Sequence, residues 1–235
     1  MSWPAKLISA VMEATWPPLT SSDLGPFRLR DGAGGGKRVS AASVIAPWDA
    51  AALDAAEAAM AEPLFTLSEG DEALDSTLAA RGYRVIDPVV IYAGQVADLA
   101  RDLPPLAAFA HWPPLETARE IWAEGGIGPA RIRVMERVAS AKTALLARHG
   151  DRPAGVAFVA LSGSHAMIHA IEVAPGMRRQ GVGATLLAAA ANWAIEEGGH
   201  SLGLAVTEQN TAARALYDRA GMSIVGKYHY RIRTA

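Results

Sequence analysis

The stretch IEVAPGMRRQGVGATLLAAAA, residues 171–191, is the most informative part of the sequence. Pro175 and Gly176 end an apolar, β-favouring segment, because proline cannot donate to a strand ladder and glycine tolerates positive φ. The run of Ala and Leu that follows favours a helix. The glycines between them therefore lie at a helix start, where free amides and the positive end of the helix dipole favour phosphate or pyrophosphate. Arg178 and Arg179 add positive charge, so this loop is predicted to bind an anion.

The composition narrows the class of protein. The chain has 235 residues, of which 51% are hydrophobic, which is enough for a sizeable core. A net charge of −2 gives no overall attraction for nucleic acid or an anionic membrane. The absence of cysteine excludes disulfides, thiolate–metal sites and a cysteine nucleophile. Neither a signal peptide nor a membrane-spanning segment is recognisable, and we expect a cytoplasmic protein.

Short helices and strands are predicted along the whole chain. Helices are expected at 49–61, 72–80, 115–124, from 129, from 182 to about 198 and at 210–220, and strands at 27–30, 39–46, 64–68, 89–93, 142–148, 154–161, 165–173, 201–207 and 222–233. The glycine-rich segment 31–38 lacks the glycine and hydroxyl positions of a phosphate-binding Walker loop, because Asp31 and Arg38 occupy them. It is predicted to be a hairpin turn.

An internal repeat is indicated by sliding the chain over itself by 139 residues. This shift lays 66–93 over 205–232, and strand, helix, glycine and strand recur in the same order. The first copy lacks the basic, glycine-rich loop, and Leu78 stands where the second has Tyr217. The first half is therefore interpreted as a copy that has lost the chemistry and that covers the second half or shapes a cleft with it. The Pro-bracketed segment 98–114 is interpreted as the connection, dividing the chain into domains 1–110 and 111–235.

Two motifs in the second half resemble those of the GNAT acetyltransferase superfamily. The first is Val173 followed by Arg178-Arg179-Gln180-Gly181-Val182-Gly183, which is similar to the superfamily's acyl-CoA loop. The second is the segment 210–222, NTAARALYDRAGM, which contains Tyr217. The resemblance is good over 128–233 and weak in the first half. It implies an α+β fold, with a mixed sheet, arranged as two GNAT-like domains in tandem, each a central, mostly antiparallel sheet flanked by helices.

The resemblance also implies the ligand and the residues that bind it. Amides from Arg179 to Ala184 would bind the pyrophosphate of acetyl-CoA or another acyl-CoA, with help from the arginine side chains. The strand that ends at Val173 would diverge from its neighbour, leaving backbone groups of Ile171 and Val173 to pair with pantetheine, and Asn210 would contact the same arm. The acyl-CoA site is thus expected to consist of Ile171, Val173, Arg178, Arg179, Gln180, Gly181, Val182, Gly183, Ala184, Asn210 and Tyr217.

Catalysis by direct attack of an amine on the thioester needs a base for the amine and an acid for the departing sulfur. Tyr217 is the candidate acid. His169 is the first candidate base, because on a regular strand it shares a face with Ile171 and Val173. Glu172 points to the opposite face and is ranked second, acting through water. His165 and His169 lie on a strand without a third ligand nearby, so no metal site is expected.

The acceptor is left open by the sequence. An amino acid, a peptide N-terminus, a lysine side chain, a polyamine and an antibiotic amine are all compatible with it, so a small-molecule or peptide amine is expected. The protein is expected to be a monomer or homodimer without nucleic-acid or membrane partners. Two functions are carried forward. The first is an acyl-CoA-dependent N-acetyltransferase, and the second is a sensor or regulatory module that binds acyl-CoA without turnover.

Overall fold

The computed structural model describes residues 3–233. In chain order the elements are α1 (Ala5–Thr15), β1 (Thr20–Leu24), β2 (Phe27–Asp31), β3 (Ser43–Val44), α2 (Ala50–Ala58), β4 (Leu64–Ser68), α3 (Glu72–Ala80), β5 (Arg84–Gln95), α4 (Val96–Leu99), β6 (Ala108–His111), α5 (Glu116–Glu124), α6 (Pro129–Arg137), β7 (Lys142–His149), β8 (Arg152–Ser162), β9 (His165–Val173), α7 (Val182–Glu196), β10 (Ser201–Thr207), α8 (Thr211–Arg219) and β11 (Ser223–Ile232).

A central eight-stranded sheet organises the molecule, with the order β4-β11-β5-β10-β9-β8-β7-β6, and a small sheet, β1-β2-β3, lies beside it. All neighbours in the large sheet are antiparallel except β9 and β10. The expected mixed fold with a mostly antiparallel sheet is confirmed. Strands of both halves of the chain contribute to this one sheet, because β5 lies between β10 and β11.

Side chains that alternate along β8 show how the two faces of the sheet are covered. Ala157, Val159 and Leu161 pack into the core beneath α7. Val156 and Phe158 pack on the other face, in a core that includes side chains of α5 and α6. The Ala-rich α7 has no bulky residue on much of its buried surface, which lets it lie close to the strands. Val182, Leu186 and Leu187 are buried there, as the sequence predicts.

The 139-residue offset found in the sequence also relates the strand pairs. It maps α3, residues 72–80, onto α8, residues 211–219, without any shift in either boundary. It also maps the pair Ser68↔Tyr228 of β4 and β11 onto the pair Thr207↔Val89 of β10 and β5. The two β-α-β units are therefore arranged about a pseudo-twofold axis that runs between β5 and β11, and each unit's second strand pairs with the first strand of the other unit.

Several segments of the first half differ from the sequence prediction, which includes neither α1 nor β1. The supposed connection, residues 98–114, contains β6, which pairs with β7 at the edge of the large sheet. The second strand after the glycine-rich loop is only Ser43–Val44, and the residues Lys37–Val39 form a 3₁₀ turn instead. Strand β5 extends over twelve residues rather than five, because it is paired on both edges.

No helix within residues 3–233 is long and apolar enough to cross a membrane.

Candidate active site

The parallel strands β9 and β10 form a cleft at the centre of the sheet. They are paired only at Ser201↔His165, Leu202↔Ala166 and Gly203↔Met167, and beyond these pairs they diverge. On its other edge β9 remains paired with β8 as far as Val173. The divergent part of β9, which contains Ile171 and Val173, therefore has one edge that pairs with no strand among residues 3–233.

The loop between β9 and α7 lies next to this cleft and presents a series of free amides. Arg179 and Gly181 have φ angles of 61° and 84°, which turn the chain sharply into the helix. Backbone N–H groups from Arg178 to Ala184 donate to no acceptor in the part of the chain that the structure describes. Gly183 packs against α8, because a Cβ there would lie 3.0 Å from Leu216 Cδ2. The loop thus combines unpaired donors with the positive end of the dipole of α7.

The basic side chains of the loop differ in their contacts. Arg178 folds back over β9, where its Nε donates to Val173 O at 3.2 Å and its Nη2 lies 3.2 Å from Glu172 Oε1. The Gln180 side chain donates to Gly176 O at 2.9 Å and so supports the turn itself. Arg178 is therefore the arginine that connects the loop between β9 and α7 with the cleft.

A β-bulge in β9 changes which side chains share a face. Val156 pairs with Glu172 and Phe158 pairs with His169, so three steps along β9 match two along β8. Ala170, with φ at 50°, takes up the extra residue. His169 consequently lies on the same face as Glu172, and the sequence prediction that it shares a face with Ile171 and Val173 is wrong, because regular alternation does not continue through a bulge.

His169 is buried in a hydrogen-bonded network. Arg38 Nη1 lies 3.2 Å from His169 Nδ1, and His169 Nε2 lies 2.9 Å from Thr15 Oγ1, which donates to Val11 O. Because a guanidinium can only donate, Nδ1 accepts and the proton is on Nε2. Burial first, and the charge of Arg38 second, hold the pKa of His169 well below its usual value. The ring is therefore neutral, and both nitrogens are engaged.

Glu172 has a different environment. Its side chain packs against Gly125 at the end of α5, where a Cβ would approach the carboxyl group closely. One oxygen accepts from Arg178, and no donor among residues 3–233 is bonded to Oε2. The side chain is 19% exposed. Glu172 thus keeps an open carboxylate oxygen on the face where His169 lies.

Tyr217 projects from α8 into the core beside the cleft. It is 5% exposed, and its ring centroid lies 5.5 Å from that of Tyr92 on β5. Burial, with a smaller effect of Tyr92, raises the pKa of Tyr217 to about 12. The phenol is therefore protonated at neutral pH. Asn210, expected to contact the ligand, caps α8 by accepting from Ala213 N at 3.1 Å, which leaves its amide nitrogen available.

Two cavities share part of their walls, and the smaller one adjoins the open end of the cleft. The smaller, about 240 Å³, includes Ala170 of the bulge and Thr207 at the end of β10. The larger, about 520 Å³, lies between α1, the small sheet and β11. Residues common to both are Trp16, Arg38, Tyr228 and Tyr230. The first half of the chain therefore builds most of the wall opposite the cleft, which fits its predicted role in shaping the site.

Arg38 is the residue of this site that sequence reasoning missed. It lies in the segment interpreted as a hairpin turn, and its contact with His169 joins positions 131 residues apart. The signal in the sequence was the basic pair Lys37-Arg38 directly after a run of glycines, because a loop of this kind can place a positive charge in a cavity. In the described part of the chain, no group of three or more His, Asp or Glu side chains has the arrangement of a metal site.

Comparisons with known proteins agree with this geometry. The family model described as "Acetyltransferase (GNAT) family" matches residues 101–222. A Bacillus subtilis protein named as the uncharacterized N-acetyltransferase YobR is 22% identical, with 96% of this chain and 97% of YobR covered.

Solved structures show the same fold. A GCN5-related N-acetyltransferase from Kribbella flavida superposes with a TM-score of 0.76 at 20% identity, covering 100% of this chain and 97% of that one. A tandem GNAT protein from the clavulanic acid biosynthesis pathway superposes with a TM-score of 0.63 at 15% identity, covering 99% and 89%. At these identities the structural likeness concerns the fold alone.

Proposed function

The chain belongs to the GNAT acetyltransferase family, and from this premise we propose that it transfers an acetyl group from acetyl-CoA to a primary amine by direct attack. The observation that carries the proposal is the divergence of β9 and β10 beside a helix start with unpaired amides. A strand edge and an anion-binding helix N-terminus suit the amide-containing arm and the pyrophosphate of one extended ligand.

The residues of the acyl-CoA site are proposed as follows. Backbone groups of Ile171 and Val173 pair with the pantetheine arm, and the amide nitrogen of Asn210 contacts the same arm. Amides of Arg179, Gln180, Gly181, Val182, Gly183 and Ala184 bind the pyrophosphate. Arg178 contributes charge from its position over β9. Gly181 and Gly183 allow the loop to approach the phosphates closely, because neither has a side chain.

Tyr217 is proposed as the general acid. When the amine nitrogen attacks the thioester carbonyl, a C–N bond forms, the C–S bond breaks and the sulfur leaves as a thiolate. The buried phenol is protonated at neutral pH, and it donates this proton to the sulfur as the C–S bond breaks, while the proton of the attacking amine passes through water to the base. No partner within residues 3–233 accepts a hydrogen bond from the Tyr217 hydroxyl, so this proton is not committed elsewhere.

Glu172 is proposed as the base, acting through water, ahead of His169. The contacts reverse the order that the sequence favoured, because both nitrogens of His169 are engaged and its lowered pKa weakens it as a proton acceptor. Glu172 keeps an open oxygen on the same face. We expect Glu172→Gln to lower kcat about 100-fold, and His169→Gln to preserve the ionisation on the acidic side of the pH–rate profile. If the ionisation disappeared in His169→Gln but remained in Glu172→Gln, His169 would be the base instead.

We also propose that the chain is a tandem GNAT with a degenerate first copy. The support is the 139-residue offset, which relates α3 to α8 and one set of strand pairs to the other. The first unit has Leu78 in place of the acid and no basic loop. The division at 110/111, the cytoplasmic location and the monomeric or homodimeric state stay predictions.

The test of the function is the release of CoA thiol from acetyl-CoA by the purified protein in the presence of a panel of amines. We expect thiol release that depends on both the amine and the protein, with an acetylated amine detected by mass spectrometry. Tight acetyl-CoA binding by calorimetry without release over the whole panel would instead favour the sensor. If the protein neither bound acetyl-CoA nor released CoA thiol, the assignment of the cleft as an acyl-CoA site would be contradicted.

A further inference from the structure

Arg38 is a largely enclosed cation at the place where the two cavities meet. Arg38 lines both of them. No Asp or Glu side chain among residues 3–233 lies within 4.0 Å of it, whereas Arg28 and Arg30 of the same region each have a carboxylate partner. Enclosing a charge without an opposite charge is costly, and proteins retain such groups where a ligand supplies the missing charge.

The side-chain partners of Arg38 are neutral and engage two different nitrogens of its guanidinium. Nε donates to Tyr228 Oη at 3.3 Å, and Nη1 donates to His169 Nδ1 at 3.2 Å. The Tyr230 hydroxyl also interacts with the guanidinium, so a third neutral group lies beside the charge. The Thr15–His169 network fixes the tautomer that accepts from Arg38, so the guanidinium is held in one orientation. Its positive charge is therefore oriented but not neutralised.

The other charged side chains that line the smaller cavity do not neutralise the positive charge of Arg38. Lys37 is paired with Asp87, at 2.7 Å between Nζ and Oδ2, and this pair contributes no net charge. Arg131 lies exposed at the cavity wall and has no carboxylate within 4.0 Å among the described residues. Two guanidinium groups therefore remain, one enclosed and one at the mouth. The planar fork of a guanidinium matches the two oxygens of a carboxylate.

We propose that the acceptor is a primary amine that also carries a carboxylate, as in a free amino acid, and that Arg38 binds this carboxylate. The inference rests on the proposed acetyl transfer, whose substrate class it specifies. His169, the partner of Arg38, immediately precedes the bulge residue Ala170, so a carboxylate on Arg38 holds an amine a few bonds away near the open end of the cleft. The side chain of the acceptor has room in the larger cavity, whose walls include Ile8, Trp16 and Ile91.

The experiment compares matched acceptors at saturating acetyl-CoA. Free amino acids are assayed beside the corresponding amino acid amides and aminoalkylphosphonates, which replace the carboxylate with a neutral group and with a larger anion. We expect kcat/KM for the best amino acid to exceed that for its amide about 10- to 100-fold, the range of a charge-assisted hydrogen-bonded contact.

Two variants connect this preference with Arg38. In Arg38→Gln the preference for acid over amide should fall to about one, through loss of activity with the acid, and Arg38→Lys should keep part of it. Arg133→Gln is the control, because Arg133 is exposed on α6 and lines neither cavity. A change in the ratio of two substrates separates loss of recognition from loss of folding, which would lower both rates together.

Three results would overturn the proposal. The first is equal activity with amino acids and their amides in the wild-type protein, and the second is an unchanged preference in Arg38→Gln. The third is a preference for the phosphonate over the carboxylate by more than about tenfold. Thiol release with the amides alone would leave the proposed acetyl transfer standing while rejecting the carboxylate. The absence of thiol release with every amine would reject the acetyl transfer instead.

Discussion

At the scale of single residues, burial decides what Tyr217 and His169 can do. Both are buried, and in each case burial disfavours the charged form. For the phenol this raises the pKa to about 12, so the proton is retained. For the imidazole it lowers the pKa, so the ring is neutral at neutral pH. The same physical cause thus keeps the phenol protonated at one position and the imidazole neutral at the other.

Replacing Tyr217 with Phe should slow the chemical step without weakening acetyl-CoA binding. The change removes the proton that the leaving sulfur receives but keeps the ring packed against Tyr92. We expect kcat to fall about 100-fold, within the range for a general acid, with the Kd for acetyl-CoA by calorimetry unchanged. Tyr92→Phe is the control, because it removes the neighbouring buried hydroxyl and keeps the packing of the two rings. A kcat near that of the wild type in Tyr217→Phe would remove Tyr217 from the mechanism.

His169 should make the fold sensitive to acid. Its pKa is near 6.5 in the unfolded chain and well below that in the folded protein, so below pH 6.5 the unfolded state binds a proton that the native state does not. The free energy of unfolding should therefore decrease as the pH falls, with a contribution of up to about 1.4 kcal/mol per pH unit. Urea unfolding at pH 7.5, 6.5 and 5.5 measures this slope.

A glutamine at position 169 should remove that contribution, because an amide can accept from Arg38 and donate to Thr15 without titrating. The control is His200→Gln, since His200 is exposed. Equal slopes for the wild-type protein and His169→Gln would contradict the assigned neutral tautomer.

At the scale of elements, helix α7 has equivalent glycines at its two ends. Gly181 precedes it with φ at 84° and Gly198 follows it with φ at 81°, and a Cβ at either position would meet no other atom within 4 Å. The two sites therefore have similar backbone strain, but only the first lies among the unpaired amides. This symmetry provides a matched test of the loop.

Gly181→Asp should abolish acetyl-CoA binding, whereas Gly198→Asp should leave it unchanged. Both variants add one negative charge and one residue strained at positive φ, which costs about 1 kcal/mol of stability. Only at Gly181 does the carboxylate compete with the pyrophosphate for the helix N-terminus. Calorimetry with acetyl-CoA measures the difference, and Arg178→Ala should also weaken binding strongly. If Gly181→Asp and Arg178→Ala bound as the wild type does, the loop would not be the anion site.

The elements of the second half could be predicted because their signals are local. Strand β10 was predicted at its observed boundaries, and helices α5 to α8 were placed within a few residues. The bulge at Ala170 could not be predicted, because alanine has no intrinsic preference for positive φ and the pairing with β8 imposes it. The contact of Arg38 with His169 could not be predicted for a similar reason, because only folding brings these two residues together.

At the scale of the whole molecule, strands of the two halves alternate in one sheet and so join the halves. Strand β5 lies between β10 and β11, and β11 in turn lies between β5 and β4. Asp75 on α3 adds a polar connection, because it accepts from Arg231 and lies 2.8 Å from His229 Nε2 on β11. The hydrogen bond from Arg231 is the main reason why the pKa of Asp75 falls to about 2. Each half thus completes the sheet of the other.

The second half should therefore not fold alone. The division at 110/111 lies inside β6, so the test separates residues 1–100 from 101–235, which keeps β6 with its partner β7. Without β5, strands β10 and β11 lose the neighbour that they share, and unpaired edges favour aggregation. We expect 101–235 to be insoluble or to lack a cooperative unfolding transition, and coexpression with 1–100 to yield a complex that binds acetyl-CoA. A monomeric 101–235 with full acetyl-CoA affinity would show that the catalytic half is autonomous, and the first half would then be needed only for the acceptor, through Arg38.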